Sequence, residues 1–506
     1  MRTLLIVAVC LVCVAATDGL YGNSALEAAE TAEQLFKQAL SLYQDDGAEQ
    51  DPALAVKLFR LAKDGGVDEA QYYLGLCYLQ GRGVGKDEKQ AFRRFHLAAV
   101  AGVPKAMTAL ADLYLEGVGT QADADIALKW YIKAVAAGES RAIGIIGVRL
   151  LEQDNPDVGR ALKYLRQAAS DGDSRAQNAI GRCYKEGIGF KPDLAKAIKW
   201  FIRSAEQGHP PALVNLGNCY MNGEGVLKNE DEASRLYALA AEQNYSWGQF
   251  KLAGCYATGR GIYRNLPEAM RLYRLAAEQN LPEACYNLGY YLQRTEAGIT
   301  ANLKEAELWF GRAAELNFAP GQFALAFYKY HGTGIGVNRI EAFRNFKLAA
   351  EQGPAEAQGY LGLMYLKGQG TWPNPKEAVR WLASGAAAGS KEAQYWLGTL
   401  YENGKTVSMD QERAFNMFRL SALQDHSESQ NKLGECYLYG RGVERDSLEA
   451  YYWFVLSSSF GSVDGYTNRI KLMQELSQEQ IDLVNSRADV WLEERGMWVH
   501  TSYFNK

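Results

Sequence analysis

Eight cysteines, five histidines and a recurring glycine pair are the residues here whose types are able to support thiol chemistry, metal ligation or phosphate binding. Cys10 and Cys13 sit in an apolar leader, without the small preceding residue that lipid modification of a cysteine needs. The other six are Cys77, Cys183, Cys219, Cys255, Cys285 and Cys436. His96, His209, His331, His426 and His500 are scattered, and none makes a metal-ligand spacing with another His or with Cys. Gly332-Thr-Gly-Ile-Gly is reminiscent of a phosphate cradle, which requires a strand before it and a helix after it. Here a helical pattern comes first, and the pair recurs at Gly81/Gly83, Gly117/Gly119, Gly187/Gly189, Gly223/Gly225, Gly259/Gly261, Gly368/Gly370 and Gly440/Gly442. No Ser-His-Asp or paired-carboxylate arrangement emerges. The expectation is a chain that is not an enzyme, with no catalytic, cofactor or metal residues.

The elements that hold these residues repeat with a period of 36 residues, apart from two residues lost after Ser140 and one gained after Pro282. Units start at Asp68, Pro104, Ser140, Ser174, Pro210, Ser246, Pro282, Ala319, Ala355, Lys391 and Ser427. Self-similarity at this length means a solenoid, in which each unit buries its apolar face against its neighbours. Column seven is Leu or Ile, as in Leu74, Ile180 and Leu433, and column eight is Gly or Ala. With the small third column, the mostly apolar tenth and the fourteenth, these lie close to one helical stripe. Column twenty-four is alanine throughout, from Ala91 to Ala450, followed by bulky pairs such as Trp200-Phe201 and Trp309-Phe310. Large beside small at helical spacing predicts a second helix interlocked with the first. Glycine after the first helix supplies a left-handed cap.

Five cysteines occupy column ten, where other units place Leu113, Tyr291 or Met364, so the column is packing. Equivalent positions on stacked helices lie about 8–10 Å apart, beyond the roughly 7 Å Cα limit for a disulfide. Cys285 stands off that column, which leaves a Cys255–Cys285 bridge open.

Written out, Ala70-x3-Leu74-Gly75-x2-Tyr78-x2-Gly81-x-Gly83-Val84, with Ala91, Phe95, Ala98-Ala99 and Gly102 after it, resembles a Sel1-like repeat, a relative of the tetratricopeptide repeat. The resemblance implies an all-α fold, a right-handed α-α solenoid (superhelix) of about 12 Sel1-like helix pairs. It also implies non-catalytic scaffold or adaptor work, with a protein or peptide partner held on the concave face. Two other roles fit such a family: a bacterial envelope protein that binds cell-wall fragments or regulates an envelope enzyme, and an endoplasmic-reticulum lumen adaptor in protein quality control. Units Ser140 and Pro282 depart from the pattern by lacking the glycine pair. By analogy with the tetratricopeptide repeat, columns two, five, nine and twelve of the first helix face the groove. Trp247, Phe250, Tyr286, Tyr290, Phe323, Phe327, Tyr330 and Tyr395 fall there and are the candidate partner-binding residues, since aromatic anchors dominate many interfaces. Earlier units place Asp112, Arg141, Arg175, Arg182 and Lys185 at these columns.

Arg2, the apolar run Leu4 to Val14 and the small Ala15-Ala16 read as a signal peptide over 1–16, followed by a leader over 17–31. The solenoid is expected over 32–462. Past it, a helix over Tyr466 to Leu476 and another opened by the capping box Ser477-x-x-Gln480 form a C-terminal capping pair within 463–506. No run reaches membrane-spanning length, so the reading is a secreted, periplasmic or endoplasmic-reticulum lumen protein. A net charge of −5 over 506 residues argues against nucleic acid as partner. Asn244-Tyr245-Ser246 is a lone glycosylation sequon. The cysteine assignment is tested by thiol labelling and mass spectrometry: all six thiols after the leader should label once the chain is denatured, and four or fewer would reveal a bridge.

Overall fold

The computed structural model describes residues 23–44, 51–153, 155–296 and 300–496. The signal-peptide segment 1–16, the leader as far as residue 22, and His500 lie outside them. The described residues form 26 helices, from Asn23–Gln44 to Gln478–Glu493, and no strand. Consecutive helices associate as hairpins. The chain divides into two compact units, Met1–Gln243 and Asn244–Lys506.

Two local devices delimit each hairpin. The first helix ends where a glycine turns left-handed, as Gly81 (φ 71°) and Gly259 (φ 77°) do, donating its N–H to the column-ten carbonyl. Gly404 (φ 64°) caps Lys391–Asn403 in the same way without a second glycine. The second glycine has a different reason. A Cβ on Gly370 would sit 2.0 Å from the Arg339 carbonyl oxygen, and one on Gly442 2.1 Å from that of Gln411. Arg339 and Gln411 open the second helices of the preceding hairpins. The glycine pair is therefore a cap followed by a close approach to the neighbouring repeat. Second helices start at an Asp or Asn in column twenty, such as Asp87, Asp123, Asn265 and Asn374, whose side chain accepts the backbone N–H three residues on at 2.8 to 3.2 Å.

Within each hairpin the second helix inserts one large side chain from column twenty-eight. Phe95, Tyr131, Phe201, Tyr237, Tyr273, Phe310, Phe346, Phe418 and Phe454 are all buried, as are Leu165 and Leu382 at the same place. The column-eight glycine is the socket: a Cβ added to Gly75, Gly181 or Gly217 would meet the ring of Phe95, Phe201 or Tyr237 at 2.6 Å. The tryptophans one position earlier behave differently. Trp130, Trp200 and Trp381 are only partly buried, and Lys133, Arg203 and Arg380 lie 4.1, 4.8 and 4.9 Å from their ring centroids. The sequence reading assigned both aromatics to the core; only the second belongs there in most repeats.

The two divergent units have short first helices, Ala142–Leu151 and Pro282–Leu292, of 10 and 11 residues, ending without a left-handed glycine. Past the repeats, the helix expected over Tyr466 to Leu476 runs instead over Val463–Met473, because the Ser462 hydroxyl caps it by accepting the Gly465 N–H at 3.1 Å. The next helix carries the expected capping box: Gln480 N–H donates to Ser477 Oγ at 3.3 Å and Ser477 N–H to Gln480 Oε1 at 2.9 Å.

The socket makes a paired prediction on one hairpin. A Cβ on Gly289 would press into the Phe310 ring at 2.7 Å, whereas one on Gly311 meets nothing within 4 Å. Both glycines are helical, so alanine gains similar helix propensity at each. Gly311→Ala should stabilise by up to about 1 kcal/mol, and Gly289→Ala should destabilise by about 1–3 kcal/mol through overpacking. Denaturant melts of the two variants measure this, and equal shifts would contradict the socket.

Candidate functional site

The eight aromatic candidates lie on first helices of the second unit, half-buried except for Tyr330, which is buried. Most use their rings within the repeat stack. Phe250 lies 5.7 Å from Tyr273, Tyr286 5.7 Å from Phe310, Phe323 5.7 Å from Phe346 and Tyr395 6.2 Å from Phe418, each partner being the inserted ring of the same hairpin. Trp247 sits edge-on to Phe250 at 5.6 Å. Phe327 and Tyr330 both pack on Tyr360 of the next hairpin, at 5.9 and 5.7 Å, and the Tyr330 hydroxyl donates to Gln369 Oε1 at 2.7 Å. The Arg294 guanidinium lies 4.3 Å from the Tyr290 centroid. These residues form a row whose inward sides are packing and whose outer parts remain accessible.

The first unit presents a cleft of about 550 Å³ on the same helix columns. Its apolar floor includes Tyr72, Leu76, Leu79 and Ile145, and Lys105, Asp112, Glu116, Glu139, Arg141 and Arg175 supply its charges. Sequence reasoning placed Asp112, Arg141 and Arg175 on groove columns but missed the floor, although Tyr72, Leu76 and Leu79 occupy columns five, nine and twelve of one first helix, because ordinary apolar residues there read as packing. Arg182 and Lys185, the remaining charged groove-column residues, are tied to Glu186 at 3.5 Å and Glu224 at 2.6 Å. Asp112 accepts a short hydrogen bond from the Tyr131 hydroxyl. Burial raises its carboxyl pKa despite that bond, and burial also raises the Tyr131 hydroxyl. The Arg175 guanidinium lies 3.2 Å from Asp173.

The titratable residues singled out for chemistry take structural posts. All six described cysteines are buried, and none is in a disulfide. Burial pushes the Cys77, Cys183 and Cys285 thiols up to about 11 and Cys436 up to about 12, far from a reactive thiolate. Cys285 has a column of its own after all. Its thiol lies 3.7 Å from the Ala277 carbonyl, eight residues back, where Gln177 and Gln394 at column four reach Ala169 and Ala386. Among the described residues no three His, Cys, Asp or Glu side chains converge on a metal position, and no helix is long and apolar enough to cross a membrane.

His426 caps the helix Ser427–Tyr439, its Nδ1 accepting the Ser429 N–H at 3.2 Å. That role requires neutral imidazole. Burial holds the pKa below 6.5, although Glu428 pulls the other way. His209 and His331 are lowered by burial and then by Arg175 and Arg339. Depressed histidines contribute stability that is present above the unfolded value of 6.5 and lost as pH falls through the folded value. Tm should therefore fall on going from about pH 7.5 to about pH 5.5. His426→Asn keeps an uncharged cap, so differential scanning fluorimetry should find a smaller acid-induced fall for it; an unchanged slope would remove His426 from the account.

The Sel1 repeat pattern matches residues 30–67, 68–102, 104–139, 150–173, 174–209, 210–245, 248–281, 282–318, 319–354, 355–390, 391–426 and 427–459. A search of curated proteins gave no match. Among solved structures, c5321, described as a protective antigen present in uropathogenic Escherichia coli strains displaying an SLR fold, is 32% identical. That match covers 87% of this chain and 94% of c5321, with a TM-score of 0.59. A Sel1 repeat protein from Oxalobacter formigenes is 29% identical over 62% of this chain and 92% of its own, with a TM-score of 0.46. With twelve matched repeats laid over capped helix hairpins of one design, the chain belongs to the Sel1 repeat family.

Proposed function

We propose that this protein is a non-catalytic scaffold, acting in an exported compartment, that binds partner proteins or extended peptide segments on the first-helix face of its repeats. Solenoids of this family commonly serve protein interaction, and the cleft of the first unit is the observation that carries the reading. Its volume suits one large apolar side chain, with Lys105, Arg141 and Arg175 placed to meet carboxylates and Glu116 and Glu139 to meet cations or backbone N–H groups. In the second unit, the outer parts of Trp247, Phe250, Tyr286, Tyr290, Phe323, Phe327 and Tyr395, with Tyr330 beneath, offer a second set of anchors. Export rests on the leader at residues 1–16. Likeness to a protein described as a protective antigen accords with it, and favours a bacterial envelope setting over an endoplasmic-reticulum lumen one.

Affinity capture of the mature protein from its own source tests this. Lys105→Glu with Arg175→Glu reverses two exposed charges of the cleft; Trp247→Ser with Phe250→Ser and Phe327→Ser trims the row. At least one set should reduce partner recovery roughly tenfold, as loss of a hot spot does, with an unchanged circular dichroism melt. Full recovery by both, with the fold intact, overturns the reading. Retention of cell-wall fragments in place of a protein transfers it to the envelope-ligand alternative.

A further inference from the structure

Three of the loops between paired helices in the second unit, with the start of one following helix, carry exposed large apolar residues, two of them near-fully exposed. Tyr263 is 96% exposed and Trp372 90%, with Ile335 at 59%, Val337 at 60% and Ile340 at 57% between them. The Ile335 and Trp372 loops each rest on the preceding second helix, Gly334 against the Glu307 side chain and Gly370 against the Arg339 carbonyl, and the Tyr263 loop holds the same place in its repeat. Nothing in hairpin packing asks for them. Other loops place Gly85, Gln121, Lys191 or Glu444 at the position of Tyr263 and Trp372.

The charge pattern changes with them. The second-helix caps beside the apolar tips are Asn265, Asn302, Asn338 and Asn374, whereas Asp410 and Asp446 close the unit. In the first unit the caps are Asp51, Asp87, Asp123, Asp157 and Asp193, and the single Asn229 accompanies Leu227, itself 91% exposed. Asn and Asp cap equally well, and the helix dipole favours Asp. Capping therefore does not select Asn; removal of negative charge from the edge does. The first-turn carboxylates left there are neutralised. Glu268 pairs with Arg271 at 2.7 Å, Glu305 with Arg274 at 2.7 Å, Glu341 with Lys329 at 3.2 Å and Glu377 with Arg380 at 3.1 Å. Glu296, in a loop of the same edge, pairs with Arg264. The row ends at Met409, where the Asp cap returns.

We infer that this loop edge docks on a lipid bilayer, inserting Tyr263, Trp372 and the Ile335 loop into the interface. Separated apolar tips on a rim whose charges are mostly ion-paired do not form the continuous patch a folded partner needs. A bilayer takes each tip independently, and Tyr and Trp suit its interfacial zone. Of the first-turn cations beside the loops, the exposed Lys304 and Lys376 make no ion pair, so attachment rests chiefly on insertion, with a small contribution from anionic headgroups.

Co-sedimentation of the mature protein, without the apolar leader 1–16, with phosphatidylcholine vesicles, with and without phosphatidylglycerol, tests this. The native chain should bind both, with a difference well below the roughly fivefold per basic residue that an electrostatic anchor shows. Tyr263→Ser and Trp372→Ser should each lower binding roughly tenfold, the scale of withdrawing one large apolar side chain, and together bring it to background with Tm unchanged. Absence of binding to phosphatidylcholine, or binding indifferent to the double substitution, overturns the inference. Sedimentation velocity supplies the remaining arm: self-association lost in the double variant would assign the edge to a second copy of the chain instead.

Discussion

One contact recurs through both units, the large side chain of the second helix seated on a glycine or alanine of the first. At Gly181 and Gly434 a single added carbon would stand 2.6 and 2.5 Å from the Phe201 and Phe454 rings. A socket this close sets the separation within the hairpin, and interiors packed at such density do not absorb an extra methyl without displacement. Everything else in the repeat is arranged around it. Columns three and twenty-four must be small where the helices approach, whereas the loop between them changes length in the Ser140 and Pro282 units with Leu165 and Phe310 still buried.

A second, polar device ties the two helices of a hairpin together and the hairpin to its predecessor. Gln207 donates to Gln177 Oε1 at 2.8 Å, Gln279 to Gln249 at 2.8 Å, Gln352 to Gln322 at 2.8 Å and Gln424 to Gln394 at 2.9 Å. Each joins the end of a second helix to column four of the first helix in its own repeat. Column-four amides reach back in turn: Gln394 donates to the Ala386 carbonyl of the preceding hairpin at 3.2 Å. Ser204, Ser421 and Ser457 add hydroxyl donors to the Ser174, Lys391 and Ser427 carbonyls at 2.6, 2.8 and 2.7 Å. Apolar stacking alone would tolerate slippage; a buried amide left without its partner would not.

The sequence was legible where one residue type had one physical cause. Glycine after a helix meant a left-handed cap, alanine at column twenty-four meant close approach, and Ser477-x-x-Gln480 meant a capping box. It was less legible where one type had several causes. Two adjacent aromatics read alike, yet Phe201 is core and Trp200 faces outward under Arg203. The second loop glycine looked like the first, although its constraint comes from the previous repeat's carbonyl. Cys285 looked stray because its column is otherwise mostly glutamine, and only the shared carbonyl acceptor shows the equivalence. The aromatic candidates lie on first helices, and most of their rings pack on the inserted ring of the same hairpin. The cleft beside Asp112 sets an apolar floor, mostly from the helix Glu69–Gln80, against charges from three later repeats, and that combination is not readable from any one of them.

Once socket, caps and amide ladder have claimed their columns, two sets of positions remain free to vary: the outer columns of the first helix and the tips of the loops. Variation confined to such positions carries information that packing does not explain. In the first unit the freed first-helix positions are charged around an apolar floor, which favours a ligand of mixed character. In the second unit they are ring-rich, and the freed loop tips turn from polar to apolar over the same repeats in which the caps turn from Asp to Asn. Both of those changes act on the surface and neither improves the hairpin, since Asp caps a helix at least as well. A shared cause outside the fold accounts for their coincidence at Asn229, Asn265, Asn338 and Asn374.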